Sequence, residues 1–80
     1  MPTVLVSGPH RVYLFSHEPN EPAHVHVDRD NLSAKFWLRP VALASNFGFP
    51  PHELRRIRVL IEKHQAEFLE VWNGHIGTQR

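Results

Sequence analysis

The chain has 80 residues, nine Lys and Arg against eight Asp and Glu, a formal net charge of +1 and no cysteine. A chain of this length is one domain with a small core, burying only about 60% of its unfolded surface. Disulfides, thiolate metal sites and a cysteine nucleophile are excluded, and so is a bulk basic field of the kind that holds nucleic acid non-specifically.

Taken in order, Thr3-Val4-Leu5-Val6 predicts a strand, Ser7-Gly8-Pro9 a turn and Arg11 to Ser16 a second strand, the two forming an antiparallel hairpin. His17 to Ala23 is a loop stiffened by Pro19 and Pro22, and it carries the acids Glu18 and Glu21. A third strand from Ala23 to Asp28 leads through an Asp30-Asn31 turn into a fourth from Leu32 to Leu38. With that turn the register sets Val27 opposite Ala34, His26 opposite Lys35, Val25 opposite Phe36 and His24 opposite Trp37. The aliphatic pairs then share one face, and His24, His26, Asp28, Ser33, Lys35 and Trp37 share the other.

After Arg39-Pro40 the composition predicts a short helix over 40–47 ended by Gly48, then a long helix over 51–73 and a tail over 74–80. Leu54, Ile57, Ile61, His64, Phe68 and Trp72 recur at three- and four-residue spacing, an apolar stripe suited to the valine-rich face of the sheet. The expected architecture is a single α+β domain over 1–80: two hairpins within 1–38 form a four-stranded antiparallel sheet, packed on one face by the short and the long helix. On the exposed side of the long helix, Arg58–Glu62 and Lys63–Glu67 have ion-pair spacing. His64, inside the stripe, is expected buried or half-buried and hydrogen-bonded to the sheet or the polar loop.

Three chemistries are open to the polar face. Alternate strand positions place the His24 and His26 Cβ atoms roughly 6.5–7 Å apart on one side, so the two could chelate a divalent metal such as Zn, with Asp28, Glu18 or Glu21 as an oxygen ligand. Without metal, His24 and His26 could serve as general base and general acid on a phosphodiester, with Lys35 stabilising the phosphate charge and Glu18 orienting an imidazole. Trp37 could stack on a base, as could Tyr13. Glu21 and the basic cluster Arg55, Arg56 and Arg58 are further binding candidates, although a run of charge on a helix is ordinarily a solvated face.

The residues Pro2-Thr3-Val4-Leu5, Phe15, Ser16, Glu18, Glu21-Pro22, His24-Val25-His26-Val27, Ala34-Lys35-Phe36-Trp37-Leu38, Pro40-Val41, Leu43-Ala44, Asn46, Gly48-Phe49, Glu53-Leu54, Ile57 and His64 resemble, across nearly the whole chain, the bacterial domain of unknown function 4160 family of small proteins. The resemblance implies a fold and little chemistry. It also implies a partner, since genes of this family often lie beside another small protein in an arrangement similar to toxin–antitoxin pairs.

The expected function is therefore a small regulatory or toxin-like module acting with a protein partner, with RNA as a candidate target of the His24, His26 and Lys35 face. The alternatives are a metal-binding module or metal-dependent hydrolase, and a non-enzymatic interaction domain. If the chain is an enzyme, a ribonuclease-like hydrolase is expected. The missing cysteines, the lack of a leader pattern and the absence of any apolar run near the ~18 residues that span a bilayer predict a cytoplasmic protein without membrane contact. The sheet edge next to Val4 leaves a homodimer open.

Overall fold

The computed structural model describes residues 3–14 and 21–74. Glu18 and most of the expected tail lie outside them. Period-two alternation becomes β1 (Thr3–Ser7), β2 (His10–Tyr13), β3 (His24–Arg29), β4 (Leu32–Leu38) and β5 (Val41–Phe47), followed by α1 (Pro51–Lys63) and α2 (Gln65–Trp72). The strands lie side by side in chain order, and every neighbouring pair is antiparallel.

The α+β class holds, and two elements differ from expectation. The sheet has five strands instead of four, because 40–47, read as a short helix, is β5. Val-Ala-Leu-Ala favours helix locally, but a short apolar run does not separate helix from strand. Pairing decides it. Lying against β4, with Leu38 opposite Val41 and Trp37 opposite Ala42, β5 satisfies backbone groups that β4 would otherwise leave unpaired.

The long helix is the second difference. It breaks at His64, whose φ of −109° and ψ of 15° are not helical. The His64 N–H still bonds back to the Ile61 carbonyl at 3.1 Å, and its own carbonyl accepts from Phe68 to start α2. The bend carries α2 toward the end of the sheet where β3 begins and β4 finishes, and there Gln65 Nε2 donates to the Leu38 carbonyl at 2.5 Å. Phe68 and Trp72 both lie on α2, beyond the bend. With the bend both are buried.

Val12, Val25, Val27, Ala34, Phe36 and Leu38 form the inner face of the sheet and are closed over by Ile57, Ile61 and Phe68, all buried. Burial of each large apolar side chain contributes roughly 1.5–3 kcal/mol, so this one layer holds the domain. Two polar devices aim α1 at it. Asn46 donates to the Phe49 carbonyl and accepts from the Phe49 N–H, both at 3.0 Å, which closes the turn between β5 and α1. In the first turn of α1, Glu53 accepts from Arg29 Nε at 2.5 Å, Arg29 Nη2 at 2.8 Å and His10 Nε2 at 2.7 Å. The Arg29 hydrogen bonds, working against the upward push of burial, hold the Glu53 carboxyl down to about 2. Helix start, β2 and β3 thereby share one ion cluster.

Among the described residues, no helix is long and apolar enough to cross a membrane.

Candidate functional site

Every strand has a second face, and on the side away from α1 the register lines the side chains up in rows. Val6, Arg11, Asp28, Ser33 and Phe47 form one row across all five strands. Tyr13, His26, Lys35 and Ser45 form the next, and His24, Trp37 and Ala42 a third. The hairpin of β3 and β4 has the register expected from its sequence, with His24 opposite Trp37 and His26 opposite Lys35.

Contacts within and between these rows fix the side chains. The Arg11 guanidinium lies 4.8 Å from the Tyr13 ring centre, and the Tyr13 ring stacks on His26 at 5.4 Å with the planes 18° apart. Tyr13 Oη donates to Asp28 at 3.1 Å. Burial first, and then that hydrogen bond, push the Tyr13 phenol above its ordinary 10.0, so at neutral pH it remains a donor. The Lys35 ammonium sits 4.8 Å from the Trp37 ring centre and 2.5 Å from a Glu21 carboxylate oxygen. Such cation–π contacts are attractive because the ring face is negative.

His24 departs from the expected open face. It is fully buried, because the bend at His64 delivers Trp72 against it, with ring centroids 4.9 Å apart. Trp37 meets it edge-on at 5.8 Å and His26 at 5.2 Å. Its Nδ1 is 2.9 Å from the Pro22 carbonyl. A carbonyl can only accept, so Nδ1 carries a proton. Glu21 lies 3.7 Å from the same nitrogen, farther than the carbonyl that orients the ring.

The remaining candidates separate. His26, Lys35, Asp28 and Trp37 share the outer face at intermediate exposure, with Glu21 at its margin. Glu18 lies outside the described residues. Arg55, Arg56 and Arg58 are exposed on α1, away from this face, and Arg58 pairs with Glu62 at 3.3 Å. The expected Lys63–Glu67 pair gives way to a His64–Glu67 contact at 2.7 Å, so His64 bonds to its own helix, and the neighbouring Gln65 reaches the sheet instead. Among the described residues, no three His, Cys, Asp or Glu side chains converge closely enough to hold a metal ion. A conformation of His24 that exposed it to a metal or a phosphate would require Trp72 to move.

Two surface features escaped the sequence reading. Val6 and Phe47 end the first row, 66% and 68% exposed. Phe47 was hidden by the helical reading of its segment. Val6 was legible, since it falls one residue out of step with Leu5 on a strand whose inner side is core.

Comparison with known families gives one match. Residues 10–73 match the family described as domain of unknown function (DUF4160), and the chain belongs to that family. Neither a curated protein nor a solved structure shows a match.

Proposed function

We propose, with membership of this family as the premise, that the chain is a small regulatory or toxin-like module that binds a protein partner through the outer face of its sheet. The partner is the small protein whose gene the family resemblance places alongside. One observation carries the reading: a sheet face that α2 covers only at its His24 end presents Arg11, Trp37, Val6 and Phe47 among side chains already locked by contacts with one another.

Aromatic residues and arginine supply most of the binding energy at protein interfaces. Held in place beforehand, they lose little further rotamer entropy on binding. Acidic groups on the same face favour protein over nucleic acid, because Asp28 and Glu21 sit against Arg11 and Lys35 and offset their charge. The acid–base reading has less behind it, since His24 is sealed from any phosphate outside the fold.

The test is co-expression with the neighbouring gene product, followed by size-exclusion chromatography and a binding isotherm. A stable complex is expected, weakened about tenfold or more by Arg11→Ala or Phe47→Ser with thermal stability unchanged. Separate elution of the two proteins, or a complex indifferent to both substitutions, overturns the reading. Cleavage of mixed RNA by the isolated chain, lost with His26→Ala, would replace it with the ribonuclease.

A further inference from the structure

The helical side of the domain carries a second surface, independent of the outer sheet face. A cavity of about 320 Å³ opens between β1 and α1, with Ser7 and His10 on the sheet side and Val59 and Leu60 on the helix side. Arg56 and Lys63 stand at its two ends. Spacings of three, four and seven residues place Arg56, Val59, Leu60 and Lys63 on one face of α1, so a single helical stripe supplies both the apolar floor and the cationic ends.

The stripe is unusual in two ways. Val59 is 63% exposed in the middle of a helix, whereas Ile57 and Ile61, on the adjoining face, are buried. Neither Arg56 nor Lys63 has an ion-pair partner among the described residues, although Glu53, Glu62 and Glu67 of the same two helices are engaged by Arg29, Arg58 and His64. Among the described residues, therefore, no ion pair offsets the positive charge of Arg56 and Lys63, in contrast with Arg11 and Lys35 on the outer face.

We infer that the groove between β1 and α1 docks an acidic segment of a partner protein that carries bulky apolar side chains. Charge complementarity selects this occupant. The apolar side chains fill the space over Val59 and Leu60, while carboxylates meet Arg56 and Lys63, where salt competes with them. A basic or neutral segment would leave both cations unpaired. The volume lies at the low end of the range of ligand pockets, which suits one or two side chains of an extended chain. β1 is an edge strand whose last residue, Ser7, lines the cavity, so main-chain hydrogen bonds to such a segment are open at that end of the groove.

The probe is a fluorescently labelled short peptide of leucines flanked by glutamates, titrated with the full chain by fluorescence anisotropy. Saturable binding is expected, weakened by added salt. The double substitution Arg56→Glu with Lys63→Glu should weaken it roughly tenfold or more, and Val59→Ser should weaken it severalfold. All three positions are exposed, so thermal melts of these variants should match the parent. Arg11→Ala on the outer face should leave this binding unchanged, which separates the groove from the interface proposed above. The inference is overturned by any of four results: no binding of the acidic peptide, equal binding of its lysine-for-glutamate counterpart, indifference to the charge reversal, or displacement of the peptide by single-stranded RNA oligonucleotide. The last would make the cationic ends a phosphate site.

Discussion

The imidazole of His24 and the indole of Trp72 lie 4.9 Å apart, centroid to centroid, inclined at 59°. The first residue of β3 is thus joined to the last residue of α2, and the contact seals a histidine that the sheet alone would leave in water. Trp72→Ala is expected to cost roughly 3–5 kcal/mol by loss of buried area and creation of a cavity. Urea denaturation measures it, and a second readout isolates the cause: modification of His24 by diethyl pyrocarbonate should rise sharply in the variant under native conditions. A loss below about 1 kcal/mol would show that α2 contributes little to holding the sheet end.

Acid should loosen the opposite end of the molecule. The Glu53 carboxyl is held at about 2, below its ordinary 4.5. A group whose folded value is depressed contributes its full stabilisation above the unfolded value and loses it as the pH falls through the folded one. The thermal midpoint should therefore decline between about 4.5 and about 2, and Glu53→Gln should flatten that part of the curve. Parallel curves for parent and variant would remove Glu53 from the acid response.

The turn into α1 rests on one amide. Asn46→Ala leaves both the N–H and the carbonyl of Phe49 without the partners that Asn46 supplies, and the expected loss is roughly 1–3 kcal/mol. Asn46→Asp, which can still accept from the N–H, should recover part of it. Equal losses in the two variants would assign the whole effect to the donated bond.

Two glycines offer a paired comparison. Gly48 has φ of +103°, and a Cβ there would stand 2.5 Å from Leu32 Cδ2, while Gly8, at φ of +60°, would meet nothing within 4 Å. Gly8→Ala should cost about 1 kcal/mol, the left-handed penalty alone, and Gly48→Ala more, by strain and crowding together. Repeating the second substitution with Leu32→Ala should relieve only the crowding. Equal melting shifts for the two single variants would exclude it.

Much of the sheet was legible because alternation and turn chemistry act locally. Asp30 takes the positive φ of 54° that a tight turn asks for, and with the turn placed, every pairing from Val27–Ala34 to His24–Trp37 followed. What escaped depended on contacts distant in sequence. No Gly or Pro marks the break at His64, since Phe68, Trp72 and the Leu38 carbonyl cause it. The 40–47 segment has too few residues for its period to outweigh the Ala and Leu preference for helix, and only the unpaired edge of β4 makes it a strand. At the candidate site, the partners of His26 and Lys35 were readable from register. The sealing of His24 was not, because a strand's alternation says which way a side chain points and nothing about what later covers it.

The chain-order arrangement of the five strands bears on how the molecule is made. Each strand finds its partner next to it along the chain, so three of the four ladders close over two residues and the β2–β3 ladder over the ten residues 14–23, and loop closure costs little entropy in each. During synthesis the sheet can therefore lengthen one hairpin at a time as polypeptide leaves the ribosome, with β5 completing it before α1 emerges. Only the helices must then fold back over the valine face. In refolding, the far-UV signal of the strands should precede the fluorescence change of Trp72, and simultaneous changes would show that sheet and helices form together.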